Sequence, residues 1–160
     1  MSLNVIIESG FSIADVICWK KKCAMPDNLS QNKATRICEF VYVICRRDEM
    51  KTFYANKEVI SVRETGQKMY RPFYNFIEAA NNDGSTELNK STFSTELVSK
   101  LLGIYGKDKT IVFDPFMGTG TTAVGCLRNG FSYVGAELSK KQFDFSNKRI
   151  EKEQVQEELF

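Results

Sequence analysis

The sequence predicts an α/β fold with a parallel sheet. Three observations carry that expectation. From residue 95 onward the chain reads helix–strand–helix–strand–helix; a glycine-rich turn joins the first of those strands to its helix; and an acidic residue closes the second strand. At 160 residues, 42% apolar and 26% charged, the chain is one domain or part of one, with enough apolar text for a modest core.

Taken in order, "LNVIIESGF" (3–11) reads as the end of an amphipathic helix stopped by Gly10. "SIADVICWKK" (12–21) reads as a strand, and the turn-rich "AMPDNLSQNK" (24–33) as a loop. "CEFVYVICRR" (38–47) is apolar, β-branched and aromatic, which predicts a strand buried on both faces. From Asp48 to Tyr70 the polar text predicts irregular structure, with at most a short strand at "TFYA". "YNFIEAANN" (74–82) predicts a short helix, followed by a loop through "DGSTELNKST". In "TELVSKLLGIYG" (95–106), Leu97, Leu101 and Ile104 or Tyr105 share one helical face, and Gly106 fits as the stop. "TIVFD" (110–114) predicts a strand, "TTAVGCLRNG" (121–130) a helix and "FSYVGAE" (131–137) another strand. The last helix has a capping box in Ser139 and Gln142, and Leu138 with Phe143 is placed to staple its entry.

Composition excludes several chemistries. With no histidine there is no Ser-His-Asp triad, no Cys-His pair and no histidine-containing zinc site. The five cysteines (Cys18, Cys23, Cys38, Cys45, Cys126) are odd in number and lie mostly in strand-like text, as reduced, buried thiols do; none of the first four has the close pairing of a metal site. No apolar run approaches a membrane span, and the N-terminus lacks a signal-peptide pattern. The net charge of +2 gives no global polyelectrolyte signal, although the first third is locally basic and the last ten residues are acidic.

The informative stretch is "DPFMGTGTT" (114–122). A strand that ends in a glycine turn and feeds a helix gathers backbone N–H groups and the positive helix end at one point, a site for a polar or anionic ligand group. Gly118 and Gly120 open backbone conformations closed to other residues and allow close approach. Glu137 ends the next strand, beside the loop in a parallel sheet, where its carboxylate can accept hydrogen bonds from a ribose diol. Loop and acid together predict a nucleoside-bearing cofactor. The spacing "GTGTTA" also fits a dinucleotide fingerprint, so an NAD site is the first rival; a P-loop is excluded because no Gly-Lys-Ser/Thr follows.

"DPFMGTGTT" resembles the S-adenosylmethionine-binding motif of the DNA amino-methyltransferases, which methylate adenine N6 or cytosine N4. Their pattern, Asp-Pro-Phe-x-Gly-x-Gly-Thr-Thr, is matched without a gap. "YVGAEL" is similar to their next strand, whose acid holds the cofactor ribose. "KSTFSTELVSKLLGIYG" resembles the segment preceding the loop in the permuted, β-group order; Phe93-Ser94 stands in place of Phe-Pro, and Lys90 where a histidine is common. "ADVICWKK" and "ICEFVYVICRR" resemble the Trp-x-Lys strand and the Glu-containing hairpin strand of the same enzymes.

The resemblance implies a Rossmann-like methyltransferase fold and S-adenosyl-L-methionine as cofactor. It implies that Asp114, Phe116, Gly118, Gly120 and Thr121 surround the methionine and adenosine parts, that Glu137 binds the ribose, and that Phe93 and Ser94 sit near the methionine end. Phe116 also has a plain alternative as a core aromatic. Double-stranded DNA is the implied partner, facing the basic stretch that includes Lys20, Lys21, Lys22 and Arg36 and the irregular 48–92 region; a solvated charged face is the competing account. Trp19 reads as a packed strand-end residue with stacking as the alternative. A cytoplasmic setting in a bacterium, phage or virus follows from the same resemblance, and no metal is implied.

One part of the family pattern is absent. Its catalytic Asp/Asn/Ser-Pro-Pro-Tyr/Phe motif has only "RPFY" (71–74) as a near match, and arginine cannot accept the hydrogen bond that the motif's polar residue must accept. The strands that normally lie between the hairpin pair (12–21, 38–47) and the cofactor pair (110–114, 131–137) are also missing from the expected elements. A sheet with such a gap leaves backbone groups unpaired at about a kcal/mol or more each. The expectation is therefore a single partial domain over 1–160: hairpin strands in 1–47, an irregular region in 48–92 and a cofactor-binding half in 93–160, with no catalytic residue of its own. A separate chain carrying the missing motif, or a homo-oligomer, would complete it. The start "MSLN", inside helix-like text, favours a broken or split gene. A non-catalytic subunit of a methyltransferase is the alternative function. Adenine or cytosine as target, and the recognition sequence, are not legible.

Overall fold

The computed structural model describes residues 8–84, 88–89 and 91–157. The expected N-terminal helix lies almost wholly outside these; within them, Glu8 is helical and Gly10 is left-handed at φ +82°, as a helix-ending glycine is. The chain forms two compact units, 1–78 and 79–160.

In the first unit, β1 (Phe11–Lys21) pairs antiparallel with β2 (Cys38–Arg46), with a register shift between Ile13 and Asp15. A 3₁₀ turn at Arg47–Glu49 follows β2. β3 (Val59–Val62) and β4 (Lys68–Tyr70) make a separate antiparallel ribbon. β5 (Phe76–Ala79) joins the other side of β1, giving the order β2-β1-β5.

Several sequence expectations fail here. β2 is not buried on both faces: Phe40, Tyr42 and Ile44, spaced by two, line one face and are exposed, while Cys45 on the other face is buried. The polar text of 57–71 does form strands; Gly66 at φ +79° makes the turn, and the pairing of Val59 with Tyr70 and Val62 with Lys68 closes the ribbon. No strand forms at "TFYA". The segment expected as a helix in 74–82 is strand β5, whose Phe-Ile-Glu-Ala alternates exposed and buried at period two. The thiols are also less buried than expected: Cys45 and Cys126 are buried, Cys18 is half-buried, and Cys23 and Cys38 are exposed.

The second unit follows the sequence more closely. Helix α1 (Thr95–Tyr105), strand β6 (Ile111–Asp114), helix α2 (Thr121–Arg128), strand β7 (Ser132–Gly135) and helix α3 (Lys140–Glu157) alternate, and β6 and β7 are parallel in the register Ile111–Ser132 to Asp114–Gly135. α2 is the central helix. Its Ala123 and Val124 pack with Met117 and Ile150, and its Cys126 packs with Val98 and Leu102; Tyr133 of β7 touches both clusters. Gly125 exists for this packing, since a Cβ there would meet Val98 Cγ1 at 2.5 Å. Gly106 ends α1 with φ −68°, not left-handed; it is glycine because a Cβ would strike the Phe131 ring and the Leu102 carbonyl. The opposite face of the β6–β7 pair, bearing Ile111, Phe113 and Val134, is exposed. The expected staple at α3 does not form, because Leu138 is fully exposed; of the capping box, Gln142 N–H reaches Ser139 Oγ only at 3.5 Å.

Candidate functional site

The site is the corner where β6 and β7 end. Beyond β6 the chain turns at once: Asp114 Oδ1 accepts from Phe116 N–H at 3.0 Å, and Oδ2 accepts from the Thr122 hydroxyl at 2.6 Å. One carboxylate thus ties the strand end to both the loop and the first turn of α2. Met117 N–H donates to the Ala136 carbonyl at 2.9 Å, which holds the loop against the end of β7. Gly135 makes room for the Met117 side chain, since a Cβ there would overlap its sulfur.

Glu137 closes the corner. Its Oε2 accepts from Gly118 N–H and its Oε1 from Ser139 N–H, each at 2.8 Å. Each carboxylate oxygen has a second lone-pair direction, so the group can still accept from a hydroxyl pair. Gly118 is left-handed at φ +55°, and Gly120 at φ +82° is the residue before α2. The two glycines serve different ends. A Cβ on Gly118 would make ordinary contacts with the amides of Gln142 and Asn89, at 3.4 and 3.5 Å, and with the Phe116 carbonyl at 3.8 Å; one on Gly120 would strike Ser146 Cβ of α3 at 2.9 Å. The side-chain direction of Gly120 is therefore taken by helix α3.

Phe116 is 86% exposed, which overturns its alternative as a core aromatic, and Leu138 after Glu137 is exposed outright. Two apolar side chains thus stand at the ends of adjacent strands with a carboxylate and backbone N–H groups beside them. That combination suits a flat, partly polar group bearing hydroxyls, which is the chemistry of a nucleoside.

Other predicted residues take supporting places. Ser94 is wholly buried: its hydroxyl donates to the Ala80 carbonyl at 2.8 Å and caps α1 by accepting from Leu97 N–H at 3.2 Å. That side chain builds the corner's surroundings and has no surface to offer a ligand, a correction to the expected contact. Thr121 is buried, with its Oγ1 accepting from Arg149 Nη1 at 3.2 Å. Phe93 is partly exposed at 39%. In the first unit Lys20 pairs with Glu78 at 2.7 Å, and Lys21 pairs with Glu39 and lies 5.5 Å from the Trp19 ring centroid. Trp19 is buried, as its packed reading required. Lys22 and Arg36 are exposed.

Sequence reasoning missed Asp83 and Arg149. Asp83 Oδ1 accepts from the backbone and hydroxyl of Thr95, its Oδ2 accepts from Arg149 Nη2, and Arg149 Nη1 also reaches the Thr119 carbonyl at 3.4 Å. This pair joins the start of α1, the glycine loop and α3, and with Thr92, Thr119 and Thr121 it lines a small pocket behind the loop. Asp83 sits in "NNDG", which reads only as a turn; no local signal marks its long-range partner.

A parallel strand–glycine loop–helix–strand unit with an acid at the second strand end defines a nucleoside-binding α/β domain. The particular family is given by residues 2–148, which match the DNA methylase family of N6 and N4 enzymes; the chain belongs to it. It is 29% identical over 147 residues to the type II methyltransferase M.Cfr9I of Citrobacter freundii, covering 91% of this chain and 47% of that protein. It is 26% identical to the orphan methyltransferase M.BamHII of Bacillus amyloliquefaciens, covering 89% of this chain and 64% of that one. The chain thus spans from about half to about two thirds of these relatives. Among solved structures, the M1.HpyAVI–SAM complex superposes with a TM-score of 0.64 at 27% identity over 91% of this chain and 66% of the other. The PvuII cytosine-N4 methyltransferase superposes at 0.62 with 14% identity, covering 93% of this chain and 61% of that one, a likeness of fold alone. Among the described residues, no helix is long and apolar enough to cross a membrane.

Proposed function

We propose that this chain is the S-adenosylmethionine-binding part of a DNA methyltransferase acting on an exocyclic amino group of adenine or cytosine. The observation that carries the proposal is the Gly118–Glu137 hydrogen bond, which ties a carboxylate to the glycine loop, with exposed Phe116 two residues before Gly118 and exposed Leu138 next to Glu137 in the chain. The solved S-adenosylmethionine complex of a 27% identical relative supports the choice of nucleoside.

In this account Glu137 accepts from the ribose hydroxyls, and Phe116 and Leu138 cover the faces of the adenine ring. Asp114 holds the loop through Phe116 and Thr122 so that Gly118 and the first turn of α2 present their backbone to the cofactor. Phe93 borders the methionine end, and Thr121 and Ser94 act through the scaffold. S-adenosylmethionine, when bound, supplies an electrophilic methyl group. The protein's part in transfer is chiefly positioning, which suits a chain without histidine. Duplex DNA meets the first unit, with Lys22 and Arg36 and the β3–β4 ribbon as phosphate and groove contacts. Lys20 and Lys21 contribute after release from their carboxylates, at small cost because exposed ion pairs are weak.

The base-presenting Pro-Pro-Tyr-type motif does not occur in these 160 residues, and the apolar face of Ile111, Phe113 and Val134 is exposed. Parallel sheets are ordinarily covered on both faces. Both features support a chain that is inactive by itself and is completed by a polypeptide supplying that motif. The test is labelled-methyl transfer to duplex DNA, with this chain combined with such a polypeptide. Transfer that needs both partners and is lost in Gly118→Asp and Glu137→Ala is expected. Transfer that survives both substitutions would make this chain a non-catalytic subunit.

A further inference from the structure

The left-handed Gly118 turns its bare Cα toward two side-chain amides that the glycine motif does not include. Gln142 Oε1 lies 3.4 Å and Asn89 Nδ2 3.5 Å from where a Gly118 Cβ would stand. Asn89 Nδ2 donates to Gln142 Oε1 at 3.4 Å, and Asn89 Oδ1 accepts from Ser91 N–H at 2.9 Å, which anchors the donor. The bond engages the oxygen of the Gln142 amide and turns its NH₂ group, with two donors, away from Asn89. Gln142 is half-buried on the first turn of α3, five residues after Glu137 and beside the residue that Glu137 binds.

We infer that Gln142 is a ribose-contacting residue of the nucleoside site, oriented by Asn89. This rests on the cofactor reading above and adds a residue to it. The chemistry is complementary. Glu137 only accepts, so it satisfies the hydroxyl protons of a ribose diol and leaves the hydroxyl oxygens without a donor. A neutral amide NH₂ supplies such a donor without the charge that a lysine or arginine would bring. Asn89 is a positioning residue: it touches the Gln142 oxygen and so leaves the NH₂ end pointing away from it. Gly118 is then small for a second reason. A Cβ there would sit in ordinary contact with Gln142 and Asn89, so a side chain longer than alanine's would crowd that amide pair.

Calorimetry on the full chain tests this with two probes: S-adenosylhomocysteine, and 5′-methylthioadenosine, which keeps the ribose and lacks the amino-acid end. Gln142→Ala is expected to weaken both by the same factor, about three- to tenfold, the range of one hydrogen bond. Gln142→Glu should weaken both further, because it replaces the donor with a second carboxylate, and Asn89→Ala should give a smaller loss on both. The melting temperature of the ligand-free Gln142→Ala chain should stay at the wild-type value, which separates contact from scaffold. Weakening of S-adenosylhomocysteine alone would move the contact off the ribose and overturn the inference, as would unchanged affinity for both probes. A wild-type chain that binds neither probe would instead sink the cofactor reading itself.

Discussion

The two units are built on different terms. From residue 79 on, the chain wraps helix α2 in side chains close to it in sequence order: α1 before it, β7 and α3 after it, with Ala123, Val124 and Cys126 almost sealed from water. Up to Glu78 the strands leave Phe40, Tyr42, Val59, Ile60 and Val62 exposed, and the β3–β4 ribbon belongs to no larger sheet. A tight unit can hold a ligand corner to within a few tenths of an ångström. An open one can offer surface to a large partner. The difference assigns cofactor to the second unit and DNA to the first in our proposal.

Substitutions that attack the tightness of the second unit sharpen the contrast. Gly120→Ala should have the largest effect, combining a left-handed backbone with overlap onto Ser146; a loss of about 2–5 kcal/mol by urea denaturation is expected. Gly125→Ala follows at about 1–3 kcal/mol from its clash with Val98, and Val98→Ala in the same chain should return part of it. Thr122→Val removes the hydroxyl that Asp114 Oδ2 accepts from and should cost about 1 kcal/mol. Smaller still is an acid effect. Arg128 holds the Glu153 carboxyl below its usual range, joining α2 to α3. A lowered folded-state pKa gives stability that is present above the ordinary glutamate pKa of about 4.3 and is lost as pH falls through the lower folded value. Glu153→Gln should therefore flatten the acid limb of a stability–pH curve. In the first unit Phe40→Ser should change stability by less than about 0.5 kcal/mol. A loss several times larger would mean that this face is covered in solution, and the contrast would break.

The same contrast explains what the sequence made legible. Helices α1 and α2 and strands β6 and β7 fall within a residue or two of their expected bounds, because capping serine, periodic leucines and glycine turn act over a few positions. The Gly118–Glu137 corner was legible for the same reason: a parallel pair brings its strand ends together wherever the chain goes next. The first unit depends on pairing across distance. "FIEA" becomes a strand because β1 is there to receive it, and polar "KMY" because it meets Val59–Val62. Burial misled in both directions. A β-branched run looked like a central strand and is an outer one, and Leu138 looked like a staple and is bare. Asp83 with Arg149, and Asn89 with Gln142, stayed hidden because each joins segments more than fifty residues apart.

The central claim is that a nucleoside sits at the β6–β7 corner. Amide chemical-shift mapping on the isotope-labelled chain, titrated with S-adenosylhomocysteine, tests it directly. The account predicts saturating shifts at Gly118, Gly120, Thr121, Glu137 and Ser139, with the first unit's strands still. Shifts confined to the first unit, or a corner that responds to NAD and ignores S-adenosylhomocysteine, would contradict it.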